Sequence, residues 1–340
     1  MKAMSIGLGL AAALLAITSA GMAKSPAGKS KTYPIVAQIS AGDSFWDYAT
    51  YVPEEHRLYV SREDGLTVLD VDTGKVVNPL ITGHQLHSIV PLAGGRALST
   101  MGADNEAVIF ERATGKRLLE IPTGRKPDGA GLDPATGQLI IMDGTDDDAV
   151  FADPKTGKVL GHLPLGGEPG SPVFDGHGLA FSNIADKSEI AVIDMARHKV
   201  LKRYPLPGCE DASGLGLDRA SGVLLSTCAG LKAVATNSRT GDTLGTVPIG
   251  KYPDAIVTDP LRHVFYVPTI APGELTVVGL GRGGVPKVLA RVTVAPGVHT
   301  GALDARRGRL YLPAGDLRLV HGQRPTVAPG TFRIVVIDVN

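Results

Sequence analysis

The sequence lacks an excess of either charge. Its 340 residues include 34 Lys and Arg and 34 Asp and Glu, so the formal net charge at pH 7 is zero. Proteins that bind nucleic acids or acidic lipid surfaces by electrostatic attraction carry a basic patch, stripe or tail. A chain with no net charge gives no support for binding to nucleic acids or to acidic lipids. Nucleic-acid binding is therefore the least favoured of the functional hypotheses.

The sequence also lacks the motifs of several common enzyme and cofactor sites. It contains no Gly-x-Ser-x-Gly motif, no P-loop and no Cys-x-x-Cys pair. These motifs are typical of serine hydrolases, of P-loop phosphate binding and of c-type haem attachment. We therefore predict no catalytic residue, and a divalent metal ion is the one cofactor that the sequence suggests.

A long apolar stretch occurs only near the N terminus. Lys2 precedes residues 4–17, which are apolar or small apart from Ser5, and small residues around Ala20 and Ala23 suit signal-peptidase cleavage. We expect residues 1–23 to be a signal peptide cleaved near Ala20 or Ala23, although a signal-anchor is the alternative. Residues 24–32 would then be a flexible leader. The mature protein would be periplasmic or secreted, with no membrane span.

The sequence has only two cysteines, Cys209 and Cys228. The strand pattern places Cys209 just before one strand and Cys228 at the end of the next, with a turn near residues 219–222. This hairpin brings the two ends together, and an exported protein can form disulfides in its oxidising compartment. We predict a Cys209–Cys228 disulfide; the alternative is two buried thiols that pack as small apolar groups.

Gly and Pro are abundant, at 43 and 24 residues, in a chain that is 43% hydrophobic. This composition is typical of many short strands separated by turns. A unit of about 41 to 43 residues recurs, which is the length of one four-stranded propeller blade. Its most regular copies share a Thr-Gly turn in VLDVDTGKVV, VIFERATGKRLL, VFADPKTGKVLG and TNSRTGDTLG, at Gly74, Gly115, Gly157 and Gly241.

Seven copies fit the chain, and the seventh ends early in VVIDVN. Residues 33–42 resemble the fourth strands of other copies and are available to complete the seventh. We therefore predict an all-β fold over residues 33–340, a seven-bladed β-propeller of four-stranded blades whose last blade is closed by the N-terminal strand. Closure leaves no open sheet edge between the first and last blades. The alternative, an open solenoid, would need capping units that the sequence does not contain.

Several runs resemble the repeats of YVTN/YncE-like β-propellers from bacterial periplasms. They include RLYVSREDGLTVLDVDTGKVV, KPDGAGLDPATGQL and YPDAIVTDP, and the resemblance covers nearly all of residues 33–340. These motifs specify the blade and carry little information about chemistry. The resemblance implies a seven-bladed propeller that is usually non-enzymatic. One branch of the family is associated with nucleic-acid binding, which the neutral charge of this chain does not support.

One position can be compared in every blade, because it opens the innermost strand one residue after a frequent Pro. Innermost strands line the channel of a propeller, so we expect a ring at one channel mouth made of Asp47, His87, Asp128, Gly170, Ser213, Asp254 and His299. We predict a ligand site from all of these except Gly170. Since imidazole with carboxylate suits a divalent transition metal, candidate metal ligands are Asp47, His87, Asp128, Asp254 and His299. The alternative is that Asp and His at these positions cap backbone N–H groups of the neighbouring blade.

The leading functional hypothesis is an exported monomeric propeller that binds a small molecule or a protein partner without catalysis. The alternative is a metal-dependent propeller hydrolase or lyase. In that case Asp and His at the channel mouth would hold an ion that activates water or substrate. Metal analysis of the purified protein separates the two hypotheses.

Overall fold

The computed structural model describes residues 31–318 and 325–340. Within these residues the chain forms seven antiparallel blades of four strands each, arranged as a propeller, which confirms the predicted fold class. The described part contains no α-helix, only two 3₁₀ turns at Ala185–Lys187 and Arg282–Gly284. It also contains no helix long and apolar enough to span a membrane. The predicted signal peptide (1–23) and residues 24–30 of the predicted leader lie outside the described residues.

In each of the first four blades the strands follow one another from the channel outward. Blades 1 and 2 consist of β2 (Trp46–Val52), β3 (Arg57–Arg62), β4 (Leu66–Asp70) and β5 (Val76–Val77), then β6 (Leu86–Leu92), β7 (Arg96–Met101), β8 (Glu106–Glu111) and β9 (Arg117–Pro122). Blades 3 and 4 consist of β10 (Pro127–Leu132), β11 (Leu139–Asp143), β12 (Asp148–Ala152) and β13 (Val159–Pro164), then β14 (Val173–Phe174), β15 (Leu179–Ile184), β16 (Glu189–Asp194) and β17 (Lys199–Pro205).

The last three blades include the two irregular ones. Blade 5 consists of β18 (Ala212–Asp218), β19 (Val223–Cys228), β20 (Lys232–Asn237) and β21 (Thr243–Pro248). The innermost strand of blade 6 is split, so that this blade consists of β22 (Lys251–Pro253), β23 (Val257–Asp259), β24 (Val264–Ala271), β25 (Glu274–Leu280) and β26 (Pro286–Thr293). Blade 7 contains β27 (Ala302–Asp304), β28 (Arg309–Ala314) and β31 (Arg333–Asp338), with an added hairpin of β29 (Leu317–Arg318) and β30 (Thr326–Val327).

The Thr-Gly turns lie between the third and fourth strands of their blades. Gly74 has φ of 73° and its N–H donates to Asp70 O at 2.8 Å, while Asp70 Oδ1 accepts the N–H of Thr73 at 2.9 Å. Blade 4 has His198 at this turn, also with positive φ (51°). Its ring stacks on Phe151 of blade 3 with centroids 3.9 Å apart, a contact that helps to offset the unfavourable backbone conformation.

The hydrophobic core is divided into clusters that each join two neighbouring blades. One cluster packs Leu58 and Val60 of blade 1 against Tyr311 and Ile334 of blade 7, which are all at most 4% exposed. The other six clusters of the described residues join blades 1 and 2, 2 and 3, 3 and 4, 4 and 5, 5 and 6, and 6 and 7. Apolar packing therefore continues around the whole ring, because every blade buries both of its faces.

The N-terminal strand β1 (Ile35–Ser40) closes the ring as predicted. It pairs antiparallel with β31, in the register Gln38 with Val335 and Ser40 with Arg333, and blade 7 has the order β1-β31-β28-β27. The outermost strand of the last blade thus comes from the opposite end of the chain. This pairing satisfies the backbone groups of β31 that would otherwise form a free edge.

The predicted disulfide joins Cys209 and Cys228. Cys209 precedes β18 and Cys228 ends β19, so the bond closes the open end of the innermost hairpin of blade 5. Both cysteines are at most 1% exposed, within the core shared by blades 4 and 5. A disulfide is typical of a protein that matures in an oxidising compartment.

Deleting residues 33–42 should abolish cooperative unfolding or cause aggregation, because it removes β1 and leaves β31 as an unpaired edge. Differential scanning calorimetry of residues 24–340 measures this, with deletion of residues 24–32 as the matched control that retains β1. If the variant without residues 33–42 unfolds in one transition as sharp as that of the control, the pairing of β1 with β31 does not hold the ring closed.

Replacing both cysteines by Ser should lower the free energy of unfolding by roughly 3 kcal/mol, the chain-entropy contribution of a cross-link over a loop of this length. Urea unfolding with and without reductant measures the difference. Reductant should destabilise the native protein and leave the Cys209→Ser/Cys228→Ser variant unchanged. Two free thiols in unfolded protein that has not been exposed to reductant would contradict the prediction.

Candidate ligand site at the mouth of the central channel

A β-bulge positions the predicted ring residues in at least four blades. In blades 1, 2, 3 and 5 the register between the innermost and the second strand shifts by one residue. Two residues of the innermost strand therefore lie opposite one residue of the second strand. The pairs in the bulges are Asp47 and Tyr48, His87 and Ser88, Asp128 and Gly129, and Ser213 and Gly214. A bulge interrupts the alternation of side chains along a strand and can redirect them. Consecutive residues such as Asp47 and Tyr48 both reach the channel for this reason.

Buried hydroxyl groups on the second strands satisfy the extra backbone groups of the bulges. Thr100 lies opposite the blade 2 bulge, where its Oγ1 accepts the N–H of Ser88 at 2.8 Å and donates to Asp128 O of blade 3 at 2.7 Å. Thr227 accepts the N–H of Gly214 at 2.8 Å in blade 5. Threonine hydroxyls thus satisfy these N–H groups within a blade, and Ser88 Oγ of blade 2 accepts the N–H of Ala130 in blade 3 at 2.9 Å.

Three of the predicted site residues meet in one cluster. The Nδ1 atom of His87 is hydrogen-bonded to Asp47 Oδ2 and lies 3.9 Å from Asp128 Oδ2. One potential ligand atom from each of the three residues lies within 4.8 Å of the other two. The His87 side chain is 5% exposed, whereas that of Asp128 is 27% exposed and opens on the channel.

The charges of this cluster are strongly coupled. Burial disfavours the imidazolium form of His87, but the carboxylates of Asp47 and Asp128 outweigh burial and raise its pKa to about 9. Burial raises the pKa of Asp128, an effect that the nearby His87 charge opposes and Asp47 reinforces. At neutral pH we therefore expect a protonated His87 between carboxyl groups that compete for one positive charge.

Asp254 and Tyr48 extend the cluster across the channel. Burial, followed by the charges of Asp47 and Asp128, raises the pKa of Asp254 well above its usual range. Burial and the same three carboxylates raise the pKa of Tyr48, whose phenol is hydrogen-bonded to Ser171 in blade 4. Sequence analysis did not predict Tyr48, because regular alternation would place the residue after Asp47 on the other side of the strand.

The remaining predicted site residues take part in contacts between blades. The Ser213 hydroxyl donates to Pro253 O of blade 6 at 2.9 Å. The ring nitrogens of His299 lie 2.7 Å from Gly297 O and 3.3 Å from Trp46 O, and the ring stacks on the Trp46 indole. Burial lowers the pKa of His299. Both ring nitrogens face backbone carbonyls, and His299 lies outside the group of Asp47, His87 and Asp128 whose potential ligand atoms lie close together.

A rim of residues in the left-handed conformation surrounds the mouth. Gln85, Lys126, Asp211 and Tyr252 have φ between 47° and 57°, and each lies two residues before the ring position of its blade. Gly297 takes the same place in blade 7, with φ of 80°. This conformation costs a residue other than glycine of the order of 1–3 kcal/mol. It turns the chain into the innermost strand and leaves Tyr252 60% exposed at the mouth.

Two cavities adjoin Asp254. The cavity at the mouth has a volume of 330 Å³ and is lined in part by Phe45, Asp47, Tyr252, Asp254 and His299. The cavity inside the channel has a volume of 230 Å³ and is lined in part by Tyr48, Ser171, Asp254 and Thr300. The space at the mouth is thus bordered by carboxylates and aromatic rings, a combination suited to a cation.

Comparisons with known proteins support the fold alone. No protein-family model matches the chain, and no curated protein matches its sequence. Similar solved structures include the RRP9 WD40 repeats, with 10% identity, 91% of this chain and 97% of that chain covered, and a TM-score of 0.75. A chain of a mitotic checkpoint complex has 13% identity, 97% and 99% coverage and a TM-score of 0.74. The Cps50 (Swd1) β-propeller domain of Myceliophteria thermophila has 14% identity, 91% and 100% coverage and a TM-score of 0.70.

In the metal-free protein, His87 should titrate near pH 9 and Asp47→Asn should lower its pKa. The contribution of His87 to stability is fully present below pH 6.5, because the folded-state pKa is the higher one, and it is lost as pH rises through 9. That contribution is at most roughly 3 kcal/mol. NMR titration of the imidazole signals, assigned with a His87→Asn variant, measures the pKa. A His87 pKa at or below 6.5 in the native protein would show that burial dominates.

Proposed function

We propose that the protein is an exported binding propeller that holds a cationic guest at the mouth of its central channel and performs no catalysis of its own. The observation that carries the proposal is the convergence of Asp47, Asp128 and Asp254 around His87, although these residues come from blades 1, 3, 6 and 2. Burial and mutual repulsion raise the pKa of Asp254, and the charge of His87 offsets the repulsion only in part, so a cation that enters the mouth would stabilise the ionised form of these carboxyl groups.

The lining of the mouth favours a guest with an apolar or polarisable part. Phe45 and Tyr252 border the same cavity as Asp47 and Asp254. Aromatic faces attract ammonium groups, and carboxylates add charge-assisted hydrogen bonds. The same carboxylates repel phosphate groups, which adds to the neutral net charge as an argument against nucleic acid as the partner.

Export is part of the proposal. The signal-like residues 1–23, with cleavage near Ala20 or Ala23, support delivery to the periplasm or the exterior, and the Cys209–Cys228 disulfide suits the same compartment. The blade motifs of residues 57–77 and 126–139 support a divergent YVTN/YncE-like propeller, with residues 24–32 as its leader and residues 33–340 as one domain. We expect a monomer, because the strand that completes blade 7, β1, comes from the same chain.

One observation favours a second candidate, the metal-dependent hydrolase or lyase. Potential ligand atoms of Asp47, His87 and Asp128 lie close enough together to share one divalent ion. Three protein ligands leave positions on an ion for water and substrate, and the ion would supply Lewis acidity. His87 Nδ1 would have to exchange its hydrogen bond with Asp47 for the metal. If the folded protein does not bind divalent ions, the hydrolase or lyase hypothesis is wrong.

Asp128→Asn and Asp254→Asn should each weaken cation binding at least tenfold, because each removes one carboxylate from the mouth. Isothermal titration with tetramethylammonium, Zn²⁺ and Ca²⁺ measures the effect. The matched control is Asp242→Asn, which neutralises an exposed carboxylate of an outer hairpin turn. Thermal unfolding of all three variants verifies the fold, and the two mouth variants should be at least as stable as the native protein.

The three probes separate the two candidates. Binding of tetramethylammonium at one site per chain supports the cationic-guest proposal. Tight stoichiometric binding of Zn²⁺ or Ca²⁺ alone, with hydrolysis of an ester or lactone that Asp128→Asn abolishes, supports the enzyme. If no probe binds, or if Asp242→Asn weakens binding as much as the mouth variants do, the channel mouth is not the functional site.

A further inference from the structure

A crevice between blades 4 and 5 lies on the face of the propeller opposite the channel mouth. It has a volume of 650 Å³, within the range of roughly 300–1,000 Å³ that is typical of small-molecule sites. The turns from first to second strand of both blades border it, and these turns lie at the far ends of strands that begin at the mouth. The apolar residues of its lining include Leu179, Phe181, Leu201, Tyr204 and Leu217.

The turn between the third and fourth strands of blade 5, which borders the crevice through Ser238 and Arg239, differs from its counterpart in blade 4. Between blades 3 and 4, His198 occupies the corresponding place, where it stacks on Phe151 and its Nε2 donates a hydrogen bond to Gln138 Oε1 at 2.7 Å. Blade 5 has Gly241 at the equivalent turn, and the glycine lies against the Tyr204 ring. The Tyr204 ring takes the place of an imidazole there, and Leu201 in the lining of the crevice remains 50% exposed.

The border of the crevice is basic although the chain as a whole is neutral. Lys202, Arg219 and Arg239 line it, and none of the three forms an ion pair with a carboxylate of the described residues. Asp175 is the single carboxylate of the lining, and its Oδ1 accepts the N–H groups of His177 and Leu179 at 2.7 and 3.0 Å. Arg219 Nε donates to Phe174 O at 2.7 Å, which holds its guanidinium at the crevice.

We propose that this crevice binds a small amphipathic carboxylate. Its hydrocarbon part would lie on Leu179, Leu201 and Tyr204, and its carboxylate would pair with the basic border. Guanidinium groups suit carboxylates because their N–H groups match the two oxygens. The apolar area contributes affinity by removing hydrocarbon and the exposed Leu201 from water. The site is separate from the channel mouth and does not depend on the function proposed there.

Decanoate below its micellar concentration is the probe, and isothermal titration should detect one site per chain. The double variant Lys202→Gln/Arg239→Gln should bind it at least tenfold more weakly. Both side chains are exposed and make no ion pair among the described residues, so the fold should persist, which thermal unfolding verifies. Arg282→Gln, on an exposed turn of blade 6, is the matched control and should bind like the native protein. Asp128→Asn should also leave decanoate binding unchanged.

Two further measurements test the ligand class and the place of binding. Decanol should bind more weakly than decanoate, and added salt should weaken decanoate only, because decanol has no charge to pair. In a ¹H–¹⁵N NMR titration, shifts should centre on Leu201, Tyr204 and Arg239. The proposal is overturned if decanoate does not bind, if decanol binds equally well, or if the double variant matches Arg282→Gln. It is also overturned if the shifts lie at the channel mouth or if binding requires phospholipid vesicles.

Discussion

Seven blades can enclose a channel only when the first and the last are held together, and the backbone hydrogen bonds between β1 and β31 do this. Five of the six residues of β1 are exposed, so the strand contributes mainly by satisfying the edge of β31 and little by burying apolar surface. Packing between blades 7 and 1 then completes the apolar ring. The channel exists only in the closed ring. The pairing of β1 with β31 therefore keeps Asp47 of blade 1 close enough to Asp254 of blade 6 for the charge of one to raise the pKa of the other.

The bulges bring ionisable side chains from several blades to the channel. In a regular strand, consecutive side chains point to opposite faces, and an innermost strand would present every second residue to the channel. The bulge lets Asp47 and Tyr48 both reach it, while hydroxyls such as that of Thr100 satisfy the extra backbone groups. Buried hydrogen bonds from neighbouring residues such as Thr100 hold the backbone at His87 and Asp128 in place. The charged side chains of the cluster that these two residues form with Asp47 can therefore face the channel.

Zero net charge conceals a separation of charge between the two faces of the propeller. Carboxylates concentrate at the channel mouth, whereas Lys202, Arg219 and Arg239 surround the crevice on the opposite face. Most of the other arginines whose side chains form hydrogen bonds in the described residues are paired with a carboxylate. Arg262, for example, lies 3.0 Å from Asp259. Screening over a Debye length of about 8 Å at physiological ionic strength allows the two faces to act independently.

The sequence by itself determined the seven blades, the closing strand and the disulfide, because these follow from the repeat period, from local turn chemistry and from the places of the two cysteines. The repeat also assigned equivalent positions in their blades to Asp47, His87, Asp128, Gly170, Ser213, Asp254 and His299. It did not determine which ring members meet. His299 and Ser213 occupy equivalent positions, but neighbouring backbone carbonyls engage them, and that depends on how the blades pack. The tertiary structure likewise decided the place of Tyr48, the left-handed rim and the crevice between blades 4 and 5. A bulge, a backbone conformation and a space between blades leave no periodic signal in the sequence.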